Sequence, residues 1–510
     1  MRQDYYNEVK DISPECPEVL HYIPSALALT GRVSSWLKNP ENRLPVSCTV
    51  LTVEDSMEGM NGIEYSWLYT SHGLRNGAGV ALDLNNIRAK GLDNGKGLVA
   101  SGVCSFMRIY NVLNEILRRG GTYKNGAITC YIDYDHPDIE EFLDLKPSDI
   151  PWLKRAVYVD EGLRHYPIKK KLAKKVNQGL VWLAKKTYDK NNNPLKSNVC
   201  LEVLLRSRAT CLLSHVNLGR CTIEDLTIQI KESMSYLCQL HEHTTVENTK
   251  YYLPQSKDRQ VGLGLIGLAS MLAKYQVSYR EFVTALESIE LLTSGFRRDL
   301  FSSLAEGNTI NNEPLTTAAK IAMELVRGYM YASVVAREFK MERAFTIAPT
   351  ASCFTRHSDS EGYSVTPEIS PPISREIERT SETFGIIEYD FHPDVEIASD
   401  VGWNVQWRLL NVIQRLMNST GLAHSISANI WNSKVVDEDF IDEFLDSDLL
   451  TTYYRLDITG NIIQNKSQVL TADNLEKLSK QYDEKDDGDE SLIVKAVDQA
   501  PGYCSVCAGE

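Results

Sequence analysis

The sequence predicts an α/β fold with interior parallel strands. Two observations predict it: strand-like and helical patterns alternate along the first half, and a long helix-period stretch follows from about Asp225 to Lys340. The length of 510 residues fits one large core with appendages, since α/β barrels with insertions reach this size.

Taken in order, "LPVSCTVLTV" (44–53) reads as a strand, "SFMRIYNVLNEILRRG" (105–120) as an amphipathic helix closed by glycine, and "GAITCYIDY" (126–134) as a strand again. In the later stretch, "TIEDLTIQIKESMSYLCQLHEH" and "PLTTAAKIAMELVRGYMYASVVAREFK" carry helical periodicity, and the glycines of "VGLGLIGLASML" are expected to let helices approach closely. Between Pro349 and Pro372 the composition turns to Ser, Thr, Pro and Gly, which marks loops. Beyond Thr459 the chain is polar, and "QYDEKDDGDES" reads as a solvated linker.

Bulk numbers exclude several function classes. With 54 basic and 68 acidic side chains the net charge is -14, so a nucleic-acid polymer is not expected as the main partner, although a local basic site can hold a phosphate ligand. No apolar run reaches the roughly 20 residues of a membrane span and no signal peptide opens the chain, which gives an expectation of a cytoplasmic protein. Eleven cysteines, an odd number, fit reduced thiols better than a disulfide framework.

Several segments carry candidate chemistry. In "SNVCLEV" (197–203), Asn198, Cys200 and Glu202 alternate with aliphatics, so on a strand an amide, a thiol and a carboxylate would share one face. Such a patch suits work on a polyhydroxyl substrate: the carboxylate takes a hydroxyl proton, the amide orients it, and sulfur supplies nucleophilic or radical chemistry. The competing reading is an edge strand with a solvated polar face. Cys211 follows Cys200 by 211 − 200 = 11 residues, and Cys48 sits in the first strand; a lone cysteine is most often a small buried hydrophobe.

Other segments are equally open when read singly. "LRRGGTYKNGAITC" offers a glycine-rich turn for a nucleotide or for steric reasons alone. "APTASCF" (348–354), followed by "EGYSVTPEISPP", offers small hydroxyl residues for a phosphate or an ordinary Ser/Thr turn. Adjacent Tyr453 and Tyr454 in "TTYYRLD" would point to opposite faces of a strand. "CQLHEH" brings Cys238, His241 and His243 together, but His243 leaves the helical face of the other two, so no metal site is read there.

In order, "SC", "NGAGVALDLNNIRAKG", "RRGGTYKNGA", "NVCLEV", "CLLSHVNLG", "VGLGLIGLA", "APTASCF", "SISAN", "TTYYR" and a C-terminal cysteine pair resemble the large catalytic (α) subunit of ribonucleotide reductase. The resemblance runs from about Leu44 to Tyr454 and resumes at the tail. It implies a ten-stranded α/β barrel of two half-barrels, with a central finger loop carrying a radical cysteine and with peripheral helices. The implied domains are a short N-terminal helical segment (1–43), a catalytic barrel (44–458) and a C-terminal tail (459–510).

The resemblance makes Cys200 the thiyl radical that removes the ribose 3′ hydrogen, Glu202 the base at the 3′ hydroxyl and Asn198 the holder of the sugar hydroxyls. It makes Cys48 and Cys211 the reducing pair. Ser47, Thr350, Ala351 and Ser352 would face the substrate phosphates, the loop chiefly through backbone N–H groups. Asp55, Arg88 and Lys124 would serve an allosteric specificity nucleotide (ATP or a deoxynucleotide with Mg2+); Lys124 stands near an arginine of other members, losing its planar fork. Tyr453 and Tyr454 match stacked tyrosines that carry the radical inward from a ferritin-like small subunit with a dinuclear metal centre. The alternative is adenosylcobalamin as the radical source, and a more distant one is an inactive nucleotide-binding paralogue. Only 47 residues precede Cys48, so no ATP-cone and no cone-type dATP inhibition are expected, as in compact reductases often encoded by viruses and acting in the host cytoplasm. A homodimer is implied, and ribonucleoside diphosphates are the implied substrates, triphosphates remaining open.

The tail ends "PGYCSVCAGE", and Cys504 and Cys507 have only three residues after them, too few for the helix that would lower a thiol pKa. From Tyr482 to Tyr503 is 503 − 482 = 21 residues, a reach of ~70 Å extended and ~25 Å as a flexible coil. The pair reads as an arm that reduces the buried Cys48–Cys211 disulfide by thiol exchange and is itself reduced by thioredoxin or glutaredoxin.

Overall fold

The computed structural model describes residues 12–93, 95–117, 126–244, 246–305, 309–310, 313–381, 385–456 and 462–463. Strand β1 (Leu27–Leu29) precedes β2 (Cys48–Thr52), β3 (Gly79–Asp83), β4 (Ile128–Asp133), β5 (Lys154–Val159) and β6 (Trp182–Lys185). A hairpin of β7 (Pro194–Ser197) and β8 (Leu204–Leu205) follows. Then come β9 (Leu213–Asn217), β10 (Gln260–Ile266), β11 (Arg343–Ile347), β12 (Ala423–Ile426) and the short β13 (Thr451–Thr452).

Strands β2 to β6 lie side by side in parallel, with β13 antiparallel beyond β6. Strands β9 to β12 form a second parallel set, and β1 pairs antiparallel with β9. The N-terminal segment expected to be helical thus gives this sheet an edge strand before its helix Gly31–Lys38. Parallel neighbours need crossovers, and helices Ile63–Arg75, Val103–Ile116 and Lys169–Asn177 supply them in the first set, as Leu226–Glu242, Thr317–Glu338 and Trp403–Ser419 do in the second.

Hydrogen bonds join the sheets at both seams. At one, Thr49 and Thr210 form an antiparallel bridge and the Cys211 N–H donates to the Cys48 carbonyl at 2.9 Å. At the other, the Thr451 hydroxyl donates to the Ile426 carbonyl at 2.7 Å and the Tyr453 N–H to that of Ala428 at 2.6 Å. Among the described residues these bonds, not one continuous ladder, connect the two sets.

The strand period of two separates two faces. Leu51, Leu82, Cys130, Val157 and Leu183 belong to the large core shared with the helices. Their neighbours Val50, Ala81, Tyr131, Tyr158 and Trp182 turn the other way, into a second buried cluster that also holds Cys48, Cys200 and Cys211. The interior between the sheets is therefore where the cysteines meet.

One helical expectation is corrected. "QVGLGLI" is the fully buried strand β10, and its glycines serve strand packing instead of helix packing. Gly262 and Gly264 lie opposite Leu213 and His215, and an added Cβ would come within 2.3 Å of Leu213 Cδ2 or 2.5 Å of His215 Nδ1. Only hydrogen fits beneath those side chains. No helix among the described residues is long and apolar enough to cross a membrane.

Candidate active site

Beyond Ser197, "SNVCLEV" is not a strand; residues 198–203 are the turn of the β7–β8 hairpin. The Asn198 side chain causes the departure: Val203 N–H donates to Asn198 Oδ1 at 3.1 Å while Asn198 N–H donates to the Val203 carbonyl at 3.0 Å, closing the turn. Leu201 adopts the left-handed region at φ 72°, a conformation held by its surroundings.

Those surroundings are both sheets. From β4, the Tyr131 hydroxyl donates to the Asn198 carbonyl and Thr129 Oγ1 to that of Val199 at 3.1 Å. Opposite them, the Ser427 hydroxyl donates to the Cys200 carbonyl, and the Glu202 carbonyl accepts from Thr346 Oγ1 at 2.7 Å and Ser425 N–H at 2.9 Å. A buried turn must satisfy each carbonyl in this way, and here the partners fix its position between the sheets.

The turn meets β2. Cys48, Cys200 and Glu202 place their sulfur and carboxylate atoms within 4.8 Å of one another, all buried. Cys211 lies beside them, its sulfur accepting from Cys48 N–H at 3.0 Å. Asn198 is fully buried too, and among the described residues neither its Nδ2 nor either Glu202 carboxylate oxygen has a hydrogen-bond partner. The structure thus brings Asn198, Cys200, Glu202, Cys48 and Cys211 together. It leaves polar atoms without protein partners there, a pattern suited to receiving a polar ligand.

Burial sets the charges. It raises the Glu202 carboxyl to about 7, so the group holds or releases a proton near neutrality. The neighbouring Cys211 thiol and burial push the Cys48 thiol well up, keeping it protonated.

Thr350 is buried at the end of β11, and Ala351 begins the short helix Ala351–Phe354, which also contains Ser352. The Thr350 N–H donates to Glu368 Oε1 at 3.1 Å, while Glu368 N–H donates back to Thr350 Oγ1 at 3.0 Å. Glu368 is buried and burial raises it to about 8, the Glu202 charge adding to the shift. The sequence reading missed it, although its signal was present as a lone glutamate among prolines in "TPEISPP". Ser47 precedes Cys48, is fully buried and among the described residues leaves its hydroxyl without a partner.

Asp55 and Arg88 follow the ends of β2 and β3, away from Cys48 at the start of β2, and pair with each other at 2.6 Å. Lys124, Cys504 and Cys507 lie outside the described residues. Tyr453 and Tyr454 fall in the break after β13, and there the opposite-face expectation fails: their ring centroids lie 4.0 Å apart, tilted by 53°. Leaving the strand conformation lets both rings face the interior. Trp182 contacts both rings, and Lys154 Nζ lies 3.2 Å from the Tyr454 hydroxyl, a neighbour the sequence reading did not identify. His241 of "CQLHEH" is buried with Nε2 against the Asp258 carbonyl at 2.7 Å, a structural arrangement.

Comparison with known proteins places residues 46–182 and 183–291 against the family model described as ribonucleotide reductase, barrel domain. The Vitamin B12-dependent ribonucleoside-diphosphate reductase of Thermoplasma acidophilum is 27% identical over 293 residues, 49% of this chain and 37% of that protein. The protein of the same name from Mycobacterium tuberculosis is 26% identical over 304 residues, 50% of this chain and 42% of that one. The chain thus aligns with less than half the length of these relatives. Among solved structures, the Actinobacillus ureae class Id ribonucleotide reductase alpha subunit superposes with a TM-score of 0.56 at 16% identity, covering 85% of this chain and 87% of that one, a likeness of fold.

Proposed function

From the match of residues 46–291 to the family model of the ribonucleotide reductase barrel domain, we propose that the protein is a ribonucleotide reductase catalytic subunit that converts ribonucleoside diphosphates to 2′-deoxyribonucleotides. The observation that carries this reading is the meeting of Cys48, Cys200 and Glu202 within 4.8 Å, on a hairpin turn and a strand far apart in sequence.

In this reading a Cys200 thiyl takes the 3′ hydrogen, giving an S–H bond and a C3′ radical. Glu202, poised near neutrality by burial, takes the 3′ hydroxyl proton and gives it back to the 3′ oxygen as the sugar is reduced. The 2′ hydroxyl leaves as water with a proton from the Cys48–Cys211 pair. That pair supplies two electrons and two protons in all and ends as a disulfide, and Cys200 returns its hydrogen to C3′. Asn198 orients the sugar hydroxyls. Ser47 and the turn at Thr350 to Ser352 receive the phosphates, and Asp55, Arg88 and Lys124 receive the effector nucleotide. Cys504 and Cys507 regenerate the buried pair with electrons from thioredoxin or glutaredoxin, and the subunit works as a homodimer.

The oxidising equivalent reaches Cys200 from a ferritin-like metal-containing subunit through Tyr454 and Tyr453. The paired rings, in the same interior cluster as Cys200, support this route. A second reading, with adenosylcobalamin supplying the radical, is favoured by the relatives named Vitamin B12-dependent. We rank it second because the first reading uses the Tyr453–Tyr454 ring pair as its route. The test is turnover of diphosphate and triphosphate substrates with a co-encoded ferritin-like subunit or with adenosylcobalamin alone. Turnover with the subunit only is expected; turnover with cobalamin and no second protein overturns the first reading, and Cys200→Ala retaining activity overturns both.

A further inference from the structure

Lys154 opens β5 and is 5% exposed, yet among the described residues no carboxylate pairs with it. A buried ammonium without a counter-charge is costly, and the usual outcome is loss of its proton. Burial alone brings Lys154 down to about 7.

The groups around it are specific. Nζ lies 3.2 Å from the Tyr454 hydroxyl, 4.8 Å from the Tyr454 ring centroid and 5.0 Å from that of Trp182 on β6. On β4 its register partner is Thr129, an uncharged residue whose hydroxyl is given to the Val199 carbonyl. Arg455, next to Tyr454 in the chain, turns its guanidinium away to the carbonyls of Trp431 and Asn432. Among the described residues the amine's titratable neighbour in direct contact is the phenol of Tyr454.

We propose that Lys154 is the proton acceptor of Tyr454 during radical transfer, an inference that rests on the relay reading of the tyrosine pair. A phenol that loses an electron becomes strongly acidic, and in a dry interior its proton needs a base already in contact. As Tyr454 passes one electron to the one-electron oxidant of the radical-generating subunit, its O–H bond breaks and the proton crosses to the Lys154 amine. A neutral tyrosyl radical and an ammonium result. When Tyr454 recovers an electron from Tyr453, the ammonium returns the proton to the phenolic oxygen.

Two measurements test this. In the first, 3-nitrotyrosine is incorporated at position 454 and its ionisation followed by visible absorbance, with Lys154 intact and in Lys154→Met. Loss of the amine is expected to raise the apparent pKa by about one pH unit or more; an unchanged titration overturns the proposal. The second is turnover of the full complex with the radical-generating subunit. Lys154→Met and Lys154→Gln are both expected to lower kcat about tenfold or more with KM unchanged. Wild-type kcat in Lys154→Gln, which keeps a hydrogen-bond donor but no base, overturns it. Tyr454→Phe run in parallel separates the two levels: if it retains turnover the relay reading itself falls, and if it is inactive while both Lys154 variants are unaffected, only the proton acceptor falls.

Discussion

Replacing Glu202 with glutamine should abolish turnover while making the folded protein more stable at alkaline pH. Glu202 is fully buried, both carboxylate oxygens lack partners among the described residues, and burial raises its pKa from an ordinary 4.5 to about 7. At about 1.36 kcal/mol per pH unit, the folded state therefore disfavours the ionised form by ~3 kcal/mol. The group is protonated in both folded and unfolded chains below pH 4.5, so it costs nothing there. Between 4.5 and 7 the unfolded chain ionises first, and stability falls as pH rises until the full cost is present above 7. Glutamine keeps the shape without the charge. The assay is urea unfolding of wild type and Glu202→Gln at intervals from pH 4 to 8.5, beside turnover. The curves should meet near pH 4 and separate by ~3 kcal/mol at pH 8 in favour of the variant, with the loss of a general base lowering turnover by about 10²–10⁴-fold. Glu368, also raised by burial, is present in both proteins and largely cancels in the difference. Parallel curves across this range would refute the assignment of Glu202 as the buried group that exchanges a proton near neutrality.

Two further outcomes are expected. Gly264→Ala puts a Cβ 2.5 Å from His215 Nδ1 and 3.1 Å from the Thr346 carbonyl; thermal unfolding should show a loss of roughly 1–3 kcal/mol, and because Thr346 holds the Glu202 carbonyl, turnover should fall with it. Replacing Cys504 and Cys507 with serine should leave a single turnover of the pre-reduced enzyme intact and stop steady-state turnover with thioredoxin; undiminished steady-state turnover would refute the shuttle role.

The legibility of this protein in its sequence divides along a physical line. Strand and helix alternation is a local property, so "LPVSCTVLTV", "GAITCYIDY" and the helices were readable from periodicity. The chemical inventory was readable as well: Asn198, Cys200 and Glu202 stand within five residues, and their order with Cys48 and Cys211 carries the family resemblance. Where periodicity conflicted with distant contacts it failed. "SNVCLEV" alternates like a strand, but its carbonyls are held by Tyr131 67 residues before Asn198 and by Ser427 227 residues after Cys200, and those bonds impose a turn. "VGLGLIG" is rich in glycine because of Leu213 and His215 on the neighbouring strand, which no local pattern reveals.

The sequence by itself determined which reactive groups this chain owns and the rhythm of elements that carries them. Tertiary structure alone decided that the cysteine sulfurs and the carboxylate are buried together, that the rings of Tyr453 and Tyr454 meet, that Glu368 pairs with Thr350, and that Lys154 reaches the Tyr454 hydroxyl. The reason is that burial and long-range contact set both position and protonation, and neither is a property of a residue's neighbours in the chain.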